Sequence, residues 1–159
     1  MSYPIKLNFS RLLRLSVIGL AAGAALFAFS QGLERLLGFF FASDSSTHPL
    51  VSLTAQAKSF REFLVPFFIG AVLVPVSEEL YYRGLAYPVF KKHWGLIVGL
   101  IIHGLFFAVF HFNAVWVTEI VLVAVALALI YEFTGSLIPG VIAHAVVNGM
   151  RLLMVYFSY

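Results

Sequence analysis

Glu78-Glu79-Leu80-Tyr81-Tyr82-Arg83 follows directly on the apolar run from Phe63 to Val76, and how these three charges are housed decides the fold. Charged residues make up 11% of the chain and hydrophobic residues 62%. A charge at the centre of a membrane helix costs about 2.5 to 3.5 kcal/mol on insertion scales, so three together require partners or a function. On a helix Glu79 and Arg83 are four residues apart and share a face, while Glu78 is turned about 100° away. The expected division is that Glu79 pairs with Arg83 and Glu78 stays free for chemistry.

Outward from this stretch the chain reads as an all-α, polytopic transmembrane helix bundle. With about 20 apolar residues needed per crossing, 159 residues hold about five spans and no separate soluble domain, so residues 1–159 form one integral membrane domain. The runs are apolar all round rather than alternating, which excludes a β-barrel. Leu12 to Ser30 is the first span, extending as one long helix or an interfacial segment to Phe41 and giving an N-terminal helix of about 11–41. Lys6, Arg11 and Arg14 precede it as they would a signal peptide, but the run is long and no small-x-small site closes it, so it is read as retained. Ala42 to Lys58 is a polar loop.

The second span starts near Ser59 to Glu62 and runs to at least Arg83; Pro75 should kink it and free backbone carbonyls close to Glu78. Pro88 to Trp94 is the next break. Gly95 to Phe112, Ala114 to Tyr131 and Leu137 to Phe157 are the remaining spans, with Phe133 to Ser136 as a tight turn. Lys91 and Lys92 join the N-terminal cations on a cytoplasmic side, against Arg35, Lys58 and Arg61 opposite. The net charge of +3 reflects this topology, with no basic face for nucleic acid.

The other polar residues inside the spans are His103, His111, Glu119, His144 and Asn148. His144 and Asn148 share one helix face, as do Phe107 and His111, which sets a ring beside an imidazole. Glu79 with Arg83 is read as a structural ion pair, and His103 and Glu119 as packing hydrogen bonds or supporting groups. Regular spans would hold His111 and His144 at somewhat different depths, so the kinked second helix, tilt or a shifted third span must bring them together. A di-aspartate protease is excluded because Asp44 is the only aspartate and lies in the loop. There is no His-Glu-x-x-His string, no Gly-x-Ser-Gly and no cysteine, which removes the site-2 zinc, rhomboid and thiol chemistries.

Glu78-Glu79-x-x-x-Arg83, Phe107-x-x-x-His111 and His144-x-x-x-Asn148, in that order on successive helices, resemble the three motifs of the CPBP family, the CAAX proteases and bacteriocin-processing enzymes also called Abi. The flanking Tyr82-Arg83-Gly84-Leu85 and Thr134-Gly135-Ser136-Leu137-Ile138-Pro139-Gly140 agree. The similarity covers about Phe63 to Leu153 within a core of about 59–157, the family's four-helix core, and leaves the first helix outside. His103, where relatives more often carry a small residue, and Glu119 depart from the pattern.

The resemblance implies a glutamic-type intramembrane endopeptidase. Glu78 and His111 would activate a water, His144 and Asn148 would bind the oxyanion, and Glu79, Arg83 and Phe107 would support the site or position substrate. No cofactor and no metal are expected, a metal being the alternative use of two carboxylates and two histidines. The implied partners are membrane lipid and a peptide or protein with a lipidated or membrane-embedded segment: a CAAX tail, a peptide leader or a C-terminal sorting tag. The small size points to a bacterial cell membrane. The rival functions are a non-proteolytic scaffold, immunity or acyl-transfer accessory protein, and a small transporter, for which the inverted repeat is missing.

Overall fold

The computed structural model describes residues 8–38, 49–111 and 117–158. All regular structure among them is helical: α1 (Phe9–Gly38), α2 (Pro49–Ala55), α3 (Phe60–Phe68), a π turn (Ile69–Leu73), α4 (Val74–Glu78), a π segment (Glu79–Ala86), α5 (Tyr87–Val109), α6 (Val117–Thr134) and α7 (Ile138–Ser158). Four helical stretches are long and apolar enough to cross a membrane: Phe9–Leu37, Phe60–Val109, Val117–Thr134 and Ile138–Ser158. Large apolar side chains such as Leu13, Val65, Ile97 and Val109 point outward, as a bundle surrounded by lipid requires.

The 50-residue stretch from Phe60 to Val109 would be about 75 Å long if straight, more than twice the hydrocarbon thickness. It is not straight. Gly95 has φ 75 and ψ −179, and the residues around it pair symmetrically. A Cβ on Gly99 would lie 2.9 Å from the Lys91 Cα, whereas eight residues of continuous helix would separate the two by about 12 Å. Further along, the Tyr87 and His103 rings are 5.5 Å apart, and the Arg83 guanidinium stands 4.7 Å from the Phe107 ring centre. Residues 60–94 and 96–109 are therefore the antiparallel arms of a hairpin turned on a single glycine, and the described residues make five passes.

This moves the expected break. Pro88 does not break the arm: the π segment runs directly into α5, the helix passes through 88–94, and the chain reverses only at Gly95. The expected loop Ala42 to Lys58 also differs, since it contains α2; residues 42–48 lie outside the described residues. The first span is one long helix as far as Gly38, and the expected continuation to Phe41 falls outside the described residues. The same is true of the ends placed at Phe112 and Ala114; α6 begins at Val117 and runs to Thr134, three residues beyond the expected Tyr131.

Pro75 acts as expected on the carbonyls, but through a π turn. The Val74 N–H bonds to the Ile69 carbonyl, five residues back. Continuing that pattern, the Gly70 carbonyl would pair with residue 75, which is proline and has no N–H. Asn148 of α7 fills the gap, its Nδ2 donating to the Gly70 carbonyl at 3.1 Å.

Small residues let the helices meet. Cβ atoms on Gly19 and Gly23 of α1 would come within 2.7 Å of Ile142 and Val146 of α7, so these two helices touch backbone to side chain along a Gly-x-x-x-Gly face. Gly104 makes the same close approach to Val121 and Val125 of α6. The rising numbers along the α1–α7 contact show that the two helices run parallel, as a first and fifth pass must.

Candidate active site

The site is built on Glu79, whose side chain is buried between the long hairpin arm and α7. Its Oε1 accepts from Arg83 Nη1 at 2.8 Å and lies 2.9 Å from His144 Nδ1. An ionised carboxylate has only acceptors, so the histidine carries a proton on Nδ1 and turns Nε2 the other way. That nitrogen faces Glu78 Oε2 at 3.6 Å, an ion-pair separation too long for a hydrogen bond. Glu78 makes no hydrogen bond through this oxygen and its side chain is 24% exposed, while those of Glu79 and Arg83 are shut away from solvent and lipid.

The expected pairing of Glu79 with Arg83 is present. Glu78 does not point elsewhere, however. It is the last residue of α4, directly before the π segment, whose wider turn separates successive side chains less around the axis, and both carboxylates reach the same imidazole from its two sides.

Arg83 is fixed by three groups. Beyond Glu79, Nη2 donates to the Ala124 carbonyl of α6 at 3.1 Å, and the guanidinium covers Phe107. The Phe107 ring lies 4.6 Å from the His111 ring and 6.2 Å from that of His144. It thus stands between the two imidazoles and resolves the difference in depth anticipated for them. His111 Nδ1–H donates to the Phe107 carbonyl at 2.9 Å, since a carbonyl only accepts, which leaves Nε2 with its lone pair available. Among the described residues, no three of His, Cys, Asp or Glu are grouped to hold a metal ion.

Gly140 completes the wall. A Cβ there would meet Glu79 Oε2 at 3.1 Å, so the glycine is what lets the carboxylate lie against α7. It falls in the Thr134 to Gly140 stretch already singled out, although its role was not legible there.

Glu119 and His103 lie outside this group. Glu119 contacts Ser30 of α1 and Arg151 of α7 in a buried cluster joining three helices. It is a packing group, as expected, but not a lone one; Ser30 and Arg151 went unnoticed because no local spacing links residues so far apart. His103 is fully buried against Tyr82 and Tyr87, with neither ring nitrogen hydrogen-bonded to the protein. Of the two roles expected for it, a packing hydrogen bond or a supporting group, the packing hydrogen bond is absent.

A family model described as type II CAAX prenyl endopeptidase, Rce1-like, matches residues 60–150, more than half of the chain. The chain belongs to this family. No curated protein and no solved structure matches it. At the family level the Rce1-like chain is a CAAX-type endopeptidase embedded in a membrane, acting on membrane-associated peptides or proteins. The matched residues contain every group from Glu78 to Asn148 described above and leave out α1 and Arg151.

Proposed function

We propose that this Rce1-like chain is a glutamic-type intramembrane peptidase in which Glu78 and His111 activate the attacking water. One observation carries the proposal: of two adjacent carboxylates, Glu79 is buried and locked through Oε1 by Arg83 and His144, while Glu78 is partly exposed. The fixed acid orients the imidazole and the free one does the chemistry. Water gives a proton to Glu78 or to Nε2 of His111 as its oxygen attacks the scissile carbonyl. The oxyanion is bound by the second Nδ2–H of Asn148, the first being held by Gly70, and by Nε2 of His144 when that nitrogen is protonated. Collapse breaks the C–N bond, and the proton taken from water passes to the leaving amine. The substrate in this proposal is a peptide whose lipidated or membrane-embedded segment brings its scissile bond to this depth.

Purified protein in proteoliposomes, offered a prenylated CAAX peptide and an unlipidated leader peptide, tests it. Glu78→Gln and His111→Ala are each expected to lower cleavage by about 10²- to 10⁴-fold with unchanged helicity and monodispersity, and activity should survive exhaustive chelation. Cleavage retained by both variants, or zinc-dependent activity, refutes the mechanism.

A further inference from the structure

Glu79, Arg83, Tyr87 and Lys91 follow one another at intervals of four along the long hairpin arm, and Gly99, His103 and Phe107 do so on the arm that faces it. Across the hairpin Gly99 meets the Lys91 backbone, His103 meets the Tyr87 ring, and Phe107 lies under the Arg83 guanidinium. The polar groups of this ladder are bonded in turn. Lys91 and Tyr87 both reach Glu132 of α6, and Arg83 reaches Glu79 and the Ala124 carbonyl. Among the described residues of the ladder, His103 is the one polar side chain without a hydrogen bond, although it is fully buried.

Its neighbours decide its charge. A protonated imidazole among Tyr82, Tyr87 and Phe107 would set a second buried cation close to the guanidinium with no anion of its own, so His103 is neutral and offers one N–H and one lone pair. The Arg83 Nε–H is likewise buried and has no acceptor. A donor without an acceptor and an acceptor without a donor thus stand on facing arms. One ring, Tyr82, packs against both His103 and the Phe107 beneath the guanidinium. The unbonded Oε2 of Glu79 lies on the other side, against Gly140 of α7. Each unmade bond in such surroundings costs free energy that an apolar residue at position 103 would avoid.

Oε1 of Glu79 serves two donors, Arg83 Nη1 and His144 Nδ1. In the proposed mechanism His144 carries two protons while Nε2 binds the oxyanion, and an imidazolium draws on Oε1 more strongly than a neutral ring does. We infer that His103 is a positioning residue for that moment: as Oε1 is given over to His144, the guanidinium pivots on its bond to the Ala124 carbonyl and its Nε–H bonds to the His103 lone pair. No proton is transferred. The bond is unmade at rest and made in the charged state, so its free energy favours the working site and not the resting fold. The trigger rests on the peptidase reading, whereas the exchange of Arg83 between Glu79 and His103 does not.

Weakening Glu79 by substitution imitates the trigger without substrate. In the full chain in micelles, His103→Leu is expected to leave the thermal midpoint unchanged or raise it in the native background. In Glu79→Gln, where the imidazole has become the acceptor for Arg83, the same change is expected to lower the midpoint by about 2 to 4 °C, and His103→Gln, which keeps an acceptor, is spared that loss. If Glu79→Gln is not recovered folded, Glu79→Asp, whose shorter side chain draws the carboxylate back from Arg83, is the second background. Nitrogen NMR of histidine-labelled protein reads the bond itself: the lone-pair nitrogen of His103 should pass from unbonded in the native chain to hydrogen-bonded in Glu79→Gln. Equal effects of His103→Leu in the two backgrounds, or a nitrogen already bonded in the native chain, overturn the inference. In turnover of the prenylated peptide, His103→Leu should lower kcat about tenfold at unchanged KM and His103→Gln should restore most of it, while an unchanged kcat overturns the role in catalysis. A native chain that cleaves no peptide counts against the peptidase reading alone, since the unfolding cycle and the spectra need no substrate and still decide whether Arg83 passes to His103.

Discussion

Glu79 shows how far a single side chain can organise a membrane site. One oxygen holds Arg83 and His144 together, and the other rests against the space that Gly140 leaves. Gly140→Ala should push the carboxylate by a few tenths of an ångström and lower cleavage about tenfold while leaving thermal unfolding within a few degrees, because geometry rather than burial is lost. Breaking the ion pair from one side is a different matter. Arg83→Met alone leaves Glu79 uncompensated and should cost about 3 to 5 kcal/mol, whereas Glu79→Gln with Arg83→Met should recover much of the stability without recovering activity. Denaturant titration of both variants in micelles distinguishes this from a role in gripping substrate, in which the single variant would stay stable and only cleavage would fall. His103 should behave in the opposite sense: His103→Leu removes two unsatisfied ring nitrogens and should leave stability unchanged or raise it by about 1 to 3 kcal/mol, and a clear loss would show that the imidazole has a partner. At this scale the i,i+4 pair of Glu79 and Arg83 was legible in the sequence because helical spacing fixes it. The approach of both glutamates to one histidine was not, since it depends on a π segment that no residue pattern announced.

Among the elements, the clasp between α7 and the π turn ties backbone geometry to the site. Pro75 withholds an N–H, Gly70 is left with a carbonyl, and Asn148 supplies the donor. The two positions should therefore be coupled. Asn148→Ala is expected to cost about 1 to 3 kcal/mol in the native background by stranding the carbonyl, and clearly less in Pro75→Ala, where residue 75 can donate. A double-mutant cycle on unfolding free energy measures the difference, and simple additivity would show that the proline is not what frees Gly70. The freed carbonyl was foreseeable from Pro75, and the shared face of His144 and Asn148 from their spacing. That these two facts were one fact needed the contact between α7 and the π turn. The hairpin turn was misplaced as well: proline and lysine at 88–92 look like a break, but the helix runs on through them from the π segment, and Gly95, with its positive φ, turns the chain.

For the whole molecule, the five passes were evident from apolar length, but the standing of the first was not. Motif similarity sets α1 outside the core, yet it packs along α7 through Gly19 and Gly23 and shares the Ser30, Glu119 and Arg151 cluster. Gly23→Leu should force α1 off the helix that carries His144 and Asn148, lowering the unfolding temperature by several degrees and cleavage with it; unchanged values for both would mark α1 as a mere anchor.

The docking of α1 on α7 also has a bearing on biosynthesis. The two faces belong to helices that leave the ribosome far apart, α1 well before α7, so the Gly19–Gly23 groove must wait in the lipid, or beside an insertase, until α7 has been made. The Gly70 carbonyl and the Glu79 carboxylate wait for the same helix, which brings Asn148 and His144. A nascent chain stalled before α7 thus holds Glu78 and His111 without the histidine that faces the glutamate pair. Under the proposed mechanism, the order of synthesis keeps the candidate centre silent until α7 is in place.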